Sequence, residues 1–191
     1  EVLRKADRFE LQDEAGGRVW VNPSAILAIR LIVLTGARRG EILGLKWNDI
    51  DWENSRALLT DSKTGRRHLY LPAPAIKLLA DQEGKNSAVY VVPGGRSDRA
   101  RRSGKTPLTN LKDPWKVISA TAGLKGVRIH DLRHSFASVG ASSGMGLPII
   151  GKLLGHRGTA TTARYAHLAD DPVKAAADTI GGRVDDAMKT G

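Results

Sequence analysis

The strand-like segments of this sequence all fall in one block, residues 47–71, with helical segments on both sides of it. Residues 47–52, 56–60 and 67–71 are typical of short strands, and a turn signal at residues 62–65 separates the last two. We therefore predict a β-hairpin or a three-stranded sheet. The predicted fold class is α+β, mainly α-helical with a small antiparallel β-sheet.

Most of the remaining chain is predicted to be helical. Asn22 is a good N-cap and Pro23 suits the first helical position, so we expect a helix from there through residue 34. Thr35-Gly36 is expected to end it. Further helices are predicted at residues 39–45, 75–81, 113–122, 131–143, 148–154 and 159–166.

Three parts are expected along the chain. Residues 1–21 are polar and begin without methionine, and we interpret them as a truncated linker or entry segment. Residues 22–168 are predicted to form the main domain. Residues 169–191 form a C-terminal segment, an alanine-rich helix opening at Pro172 and interrupted at Gly181-Gly182.

Charge and aromatic content narrow the class of partner. The formal net charge of +10 over 191 residues indicates a polyanionic partner, and nucleic acid is the common one. An aromatic content of 5% argues against recognition of single-stranded bases by stacking, so double-stranded DNA is favoured. The alternative is a basic protein without such a partner. The loop at residues 93–107 carries five basic residues and one acidic residue, and is either a DNA-contacting loop or a solvated connector.

Cysteine is absent from the sequence, which excludes disulfides, thiolate metal sites and cysteine nucleophiles. This composition is compatible with a reducing cytosol, and we expect a cytoplasmic protein. The sequence has no run of 18 apolar residues, and its N-terminus lacks the apolar core of a signal peptide. We expect no membrane partner.

One candidate cationic group precedes the sheet block, and a second lies inside it. Arg38, in Thr35-Gly36-Ala37-Arg38-Arg39-Gly40-Glu41, is either part of a surface turn or a guanidinium fork aimed at a phosphate. In the second case Glu41 would brace a nearby backbone or side-chain group. Lys63, in the predicted hairpin turn, is either solvated or able to reach a phosphate and deliver a proton.

The last third of the chain holds the other candidates. His130 and Arg133 are three residues apart at a helix start and are expected to share a face, beside a buried stripe of Leu132, Phe136 and Val139. His156 follows the helix-ending Gly155. Tyr165 has short neighbours, which favours an accessible phenol; the alternative is a packed tyrosine.

Taken together, these side chains suit one phosphate site. Arginines and histidines stabilise charge on the non-bridging oxygens, a lysine protonates a leaving oxygen, and a tyrosine supplies the nucleophile. The sequence shows no cluster of acidic residues of the kind that two-metal nucleases use to bind their metal ions. The expected chemistry is therefore metal-free phosphoryl transfer through a covalent protein–DNA intermediate.

In order and approximate spacing, these motifs resemble the catalytic domain of the tyrosine recombinases, the phage-type integrases. The motifs are Thr-Gly-x-Arg38-x-x-Glu, Lys63 in a hairpin, His130-x-x-Arg133, Leu-Gly-His156 and Tyr165, and the resemblance covers residues 22–168. It implies the DNA breaking–rejoining fold, with residues 22–168 as the catalytic domain of a site-specific recombinase or integrase. It also implies no cofactor, duplex DNA as partner, and a tetramer on DNA in which the C-terminal segment docks on a neighbouring protomer. The alternative for that segment is a helix folded back on its own core.

The resemblance implies a role for each site residue. The scissile phosphate would be held by Arg38, Arg133 and His156. Lys63 would protonate the departing 5′-oxygen, His130 would act as a base or orient the site, and Tyr165 would form a 3′-phosphotyrosyl bond. Two other functions stay open at this point: a type IB topoisomerase or telomere resolvase with the same chemistry, and a non-catalytic DNA-binding module on the same fold.

Overall fold

The computed structural model describes residues 3, 11, 17, 19–60, 65–82, 88–95, 103–156, 158, 160–168 and 172–190. The chain divides into two compact units, Glu1–Phe136 and Ala137–Gly191. The first unit contains α1 (Pro23–Thr35), α2 (Arg39–Leu43), β1 (Ile50–Asp51), β2 (Arg56–Leu59), β3 (Arg67–Tyr70), α3 (Ala73–Ala80) and α4 (Lys112–Thr121). Helix α5 (Asp131–Ser142) includes the division, and α6 (Leu147–Leu154), α7 (Ala160–Ala163) and α8 (Pro172–Thr190) follow it.

Helix α1 is the centre of the first unit. Its residues 25–29, 31 and 32 are each at most 6% exposed, as expected of a helix that is apolar on nearly all sides. Around it lie α2, α3 and α4. The predicted start and end are confirmed: the Asn22 side chain accepts a hydrogen bond from the Ser24 amide at 3.0 Å, and Gly36 takes a left-handed conformation with φ of 64°.

The three strands form one antiparallel sheet in the order β1-β2-β3, which confirms the predicted small sheet. Ile50 lies opposite Ala57, and Leu59 lies opposite Arg67. Along β2, burial alternates, with Ala57 and Leu59 buried between partly exposed neighbours. One face of the sheet therefore joins the core of the first unit.

The first predicted strand, residues 47–52, is wrong over its first half. Trp47–Asp49 is a 3-10 helix, and only Ile50–Asp51 pairs with β2. The Asp49 carboxylate accepts a hydrogen bond from the Lys46 amide at 3.1 Å and so stabilises a tight turn. The Trp47 amide meanwhile donates to the Val89 carbonyl at 3.1 Å, a partner outside the sheet.

The loop predicted at residues 93–107 has paired ends. Pro93 and Pro107 form an antiparallel bridge, and the Gly94 amide donates to the Thr106 carbonyl at 2.8 Å. Residues 96–102, which carry four of its basic side chains, lie outside the described part of the chain. Whether this loop contacts DNA stays a prediction.

In the second unit, α6 ends as predicted, at Gly155 with a left-handed φ of 65°. The predicted cap Thr159 lies outside the described residues, and α7 begins at Ala160. The predicted interruption of the last helix is wrong, because α8 runs unbroken through Gly181 and Gly182. Glycine lowers helix stability by about 1 kcal/mol relative to alanine but adopts helical dihedral angles freely.

The buried face of α5 differs from the predicted one. Arg133, Ala137 and Ala141 are buried, whereas Val139 is 65% exposed. The buried positions are four residues apart and therefore lie on one side of the helix. Leu132 and Phe136 are only half-buried.

A membrane-spanning helix is not found among the described residues, because no helix there combines sufficient length with sufficient hydropathy.

The central role of α1 makes a testable prediction about stability. Ile32→Ala removes a side chain that is 1% exposed and should lower the free energy of unfolding by about 2–5 kcal/mol, because it leaves a cavity. The adjacent Val33→Ala, at a position 41% exposed, should change it by less than about 0.5 kcal/mol. Urea unfolding measures both variants, and equal losses would contradict the burial described here.

Candidate active site

Arg38 follows a turn that the end of α1 holds in place. The Thr35 hydroxyl donates to the Leu31 carbonyl at 2.6 Å and accepts from the Ala37 amide at 3.2 Å. The Gly36 amide donates to the Ile32 carbonyl at 2.9 Å. Thr35 and Ala37 are buried, so the backbone that presents Arg38 is fixed by the core.

The Glu41 carboxylate accepts four hydrogen bonds from two arginines. Oε2 accepts from the Arg38 amide at 2.8 Å and from Nη2 of Arg67 at 2.7 Å. Oε1 accepts from Nη1 of Arg38 at 3.0 Å and from Nε of Arg67 at 3.2 Å. The Arg67 contact is the two-pronged arrangement that suits a guanidinium and a carboxylate. The predicted bracing role of Glu41 therefore has a geometric basis.

Glu41 keeps its negative charge in this setting. Burial by itself raises the pKa of the carboxyl group, but the hydrogen bonds from Arg67 and Arg38 outweigh that effect and lower the pKa to about 2. The Glu41 side chain is 4% exposed and that of Arg67 is 11% exposed. The ion pair is thus largely shielded from water.

Arg133 joins the same turn from a distant part of the sequence. Its Nη1 donates to the Gly36 carbonyl at 2.7 Å, and the residue is only 4% exposed. Gly36 lies two positions before Arg38. The first unit therefore brings Arg38 and Arg133, which are far apart in sequence, to one turn.

His130 lies at the start of α5, exposed to solvent and next to His134. The two rings meet edge to face with centroids 4.9 Å apart. Burial of the ring, the charge of His134 and the charge of Arg133 together lower the pKa of His130 below its usual range. The lowered pKa favours the neutral form of His130, which is able to accept a proton.

The start of α5 is itself fixed by an ion pair. The Asp131 carboxylate accepts from the Arg128 amide at 2.9 Å and pairs with the Arg128 guanidinium at 3.1 Å. The hydrogen bonds from Arg128 lower the pKa of Asp131. Asp131 thus stabilises the helix end that presents His130.

The second unit holds His156 and Tyr165. Nδ1 of His156 lies 2.8 Å from Oγ1 of Thr162, and the His156 amide donates to the Gly151 carbonyl at 2.9 Å. Tyr165 is only 6% exposed, so the prediction of an accessible phenol is wrong for this state. The Tyr165 amide donates to the Thr162 carbonyl at 3.0 Å, which fixes the backbone after α7.

Lys63 lies outside the described residues, so its role stays a prediction.

Asp49 and Asp51 have a spacing found in some metal sites, yet both carboxylates accept hydrogen bonds from groups within the first unit. Asp49 accepts from the Lys46 amide, and Asp51 accepts from Asn54 and from Arg56 at 3.0 Å. Among the described residues, no cluster of three or more histidine, aspartate or glutamate side chains is arranged to hold a metal ion.

Sequence reasoning missed Arg67 and Thr162. Arg67 belongs to β3, and its partner Glu41 is 26 residues earlier, so no local spacing indicates the pair. Thr162 is six residues after His156, beyond the range of a helical i, i+4 contact. A pattern that did carry information is Arg38 and Glu41 at i, i+3, which form an ion pair.

Relatives and solved structures share this sequence pattern and fold. A sequence model of the Phage integrase family matches residues 22–171. Tyrosine recombinase XerA of Pyrococcus furiosus is 29% identical over 177 residues, an alignment covering 87% of this chain and 59% of XerA. The chain spans about half the length of the curated relatives it matches.

Many solved structures resemble the chain, among them an integrase and a Xer recombinase. The catalytic domain of bacteriophage HP1 integrase has a TM-score of 0.62 at 22% identity, covering 93% of this chain and 88% of that one. The XerH site-specific recombinase bound to its difH substrate has a TM-score of 0.64 at 26% identity, covering 92% of this chain and 50% of that one. The fold is therefore that of tyrosine recombinase catalytic domains. The chain belongs to the phage integrase family.

The Glu41 ion pairs predict a large effect on stability. Glu41→Gln should lower the free energy of unfolding by about 3–5 kcal/mol, because it leaves the guanidinium of Arg67 buried without a counter-charge. Asp51→Asn is the matched control, since the Asp51–Arg56 pair is about one-third exposed on each side. The control should change stability far less, because water screens an exposed ion pair. Similar losses in the two variants would contradict the assignment.

The lowered pKa of Glu41 also predicts a pH dependence with a definite sign. The stabilisation is complete above about pH 4.5, the ordinary pKa of the group, and is lost as the pH falls to about 2. It amounts to about 3 kcal/mol. Urea unfolding of the wild type should show the free energy of unfolding falling over this pH range. The Glu41→Gln variant should lack the part of that fall that comes from Glu41. Parallel curves for the two proteins would contradict the prediction.

Proposed function

We propose that this chain is the catalytic domain of a site-specific DNA recombinase that cleaves and rejoins duplex DNA through a 3′-phosphotyrosyl intermediate. The observation that carries the proposal is the hydrogen bond from Arg133 to the Gly36 carbonyl at 2.7 Å. This contact supports the proposal because it brings Arg133 to the turn that precedes Arg38, and clustered arginines stabilise a phosphate. We assign residues 22–168 to the catalytic domain, residues 1–21 to an entry segment and residues 169–191 to assembly.

The proposed substrate is duplex DNA. The net charge of +10 favours a polyanion, and the related XerH structure is titled as a complex with its difH substrate before cleavage. Arg38 and Arg133 would neutralise the non-bridging oxygens of the scissile phosphate, and His156 would donate to the same group. Because these donors are protein side chains, the proposed step needs neither metal ion nor cofactor.

The proposed reaction balances protons within the protein. The phenol oxygen of Tyr165 bonds to phosphorus while the bond from phosphorus to the 5′-oxygen breaks. His130, kept neutral by its lowered pKa, takes the phenol proton, and Lys63 gives a proton to the leaving 5′-oxygen. Attack by the 5′-hydroxyl of another strand reverses each step. The phosphotyrosyl bond retains the energy of the original phosphodiester.

The burial of Tyr165 sets a condition on this reaction. At 6% exposure, its phenol has to leave its present surroundings before it reaches a DNA phosphate. Catalytic contacts commonly form only when substrate binds. The structure therefore corresponds, in this proposal, to a resting state that DNA activates.

Covalent capture tests the proposed function. The full-length natural protein is mixed with a pool of nicked duplexes of random sequence in EDTA, and denaturation-resistant protein–DNA adducts are isolated and sequenced. The wild type should retain DNA joined to the protein through its 3′ end and release the strand that carries a free 5′-hydroxyl, and Tyr165→Phe should retain none. Tyr70→Phe, at a 42% exposed tyrosine, is the matched control and should behave as wild type. An adduct that survives Tyr165→Phe, or that requires magnesium, would refute the proposal.

The captured sequences then separate recombination from the alternatives. A recombinase should join the cleaved strand to a second duplex that bears the selected sequence. Relaxation of supercoiled plasmid lacking that sequence would instead indicate a type IB topoisomerase. Binding of the pool without any covalent capture would indicate a non-catalytic DNA-binding module.

We also propose that α8 mediates self-association on DNA. Ile180, Val184 and Met188 are four residues apart on this helix and 64%, 51% and 71% exposed, so they form an apolar stripe on one side. The stripe of one copy would pack against the adjacent copy in the tetramer.

Sedimentation with the selected DNA tests this role. Val184→Asp should shift the complex from tetramer to smaller species, because it places a charge in the apolar contact. Gly182→Asp is the matched control on the opposite side of the helix, where an added side chain meets no other group within 4 Å. The proposal fails if Val184→Asp assembles as the wild type does, or if both variants dissociate alike.

A further inference from the structure

We propose that Thr162 is a positioning residue that fixes the ring of His156, and that Gly151 is required because it leaves room for this contact. All three residues belong to the second unit. The catalytic consequence rests on the proposed function, while the contact itself is a property of the fold.

The contact joins two elements of the second unit. Thr162 lies in α7, which packs against α6, and is 2% exposed. Its Oγ1 is 2.8 Å from Nδ1 of His156, which follows the end of α6. A hydroxyl that has lost access to water in this way keeps a strong preference for its protein partner. The His156 ring is thereby held against α7.

The hydrogen bond at Nδ1 determines what the other ring nitrogen does. When the Thr162 hydroxyl donates to Nδ1, the neutral imidazole carries its proton on Nε2. Nε2 then acts as a donor, as a non-bridging phosphate oxygen requires. Without the hydroxyl, this contact no longer favours one nitrogen over the other or restrains the ring on that side. Thr162 thus selects the tautomer and orientation of His156 that the proposed reaction uses.

Gly151 gives independent support. It lies inside α6 with a right-handed φ, so its backbone conformation does not require glycine, and alanine would be about 1 kcal/mol better in a helix interior. A Cβ added there would lie 2.9 Å from Oγ1 of Thr162. Threonine would have to rotate to relieve this contact, and its hydroxyl would leave His156. The absent side chain at Gly151 therefore protects the hydrogen bond.

Four substitutions separate positioning from simple packing. Thr162→Val removes the hydroxyl at nearly constant volume, and Thr162→Ser restores it. Gly151→Ala displaces the hydroxyl without removing it. Thr161→Val changes an exposed threonine one position earlier and is the matched control.

The first measurement is structural and needs no activity. Nitrogen-15 NMR of the protein without DNA reports the protonated nitrogen of His156. Wild type, Thr162→Ser and Thr161→Val should show the Nε2–H form, and Thr162→Val and Gly151→Ala should show a mixture. A wild-type spectrum in Thr162→Val would overturn the proposal, and if that variant does not fold, Gly151→Ala gives the same decision.

The second measurement is the single-turnover rate of adduct formation on the captured DNA. Thr162→Val and Gly151→Ala should slow cleavage by about 10- to 100-fold, with half-saturation by DNA unchanged, because the ring is misoriented. Thr162→Ser should restore most of the rate. A changed tautomer with an unchanged rate would overturn the positioning role. A wild type that forms no adduct would refute the proposed function, and the NMR result would still decide the Thr162 contact.

Discussion

The buried Glu41 carboxylate is the interaction on which the first unit's site depends. One side chain accepts hydrogen bonds from the backbone and guanidinium of Arg38 and from the guanidinium of Arg67. A carboxylate buried to this degree is stable only when opposite charges and donors surround it. The same contacts tie the start of α2 to β3. The position of Arg38 is therefore coupled to the position of the sheet.

In each unit, a polar contact to a group that does not react sets the direction of a candidate catalytic side chain. Arg133 is held by the carbonyl of Gly36, and His156 is held by the hydroxyl of Thr162. Such contacts restrict the rotamers of long or flat side chains before any substrate arrives. The apolar helix α1 supplies the rigid support for the Gly36 turn, because its residues are buried on nearly all sides. Packing thus sets the backbone, and hydrogen bonds orient the functional groups.

Positive charge is concentrated near the Gly36 turn. Arg133 donates to the Gly36 carbonyl, and both Arg38 and Arg67 pair with Glu41. Burial and neighbouring positive charge lower the pKa of His130, which favours the neutral form that our proposal uses as a proton acceptor. Tyr165 is buried in this structure, so its phenol has to become exposed before the attack on DNA that we propose. In that proposal, a phenol that stays buried until substrate binds limits unproductive chemistry.

The sequence alone determined the elements with local signals and the family. Asn22, Gly36 and Gly155 mark helix ends through their own side chains or dihedral freedom, and the ordered motifs around Arg38, His130 and Tyr165 identified the recombinase pattern. Tertiary structure decided the rest: the 3-10 turn at Trp47, the unbroken α8, the exposed Val139, the Arg67–Glu41 pair and the Thr162 contact. Apart from the unbroken α8, these features depend on partners beyond the reach of one helical turn or on which helix face is buried. Local propensity carries no information about such partners, because their energies arise only when the chain has folded.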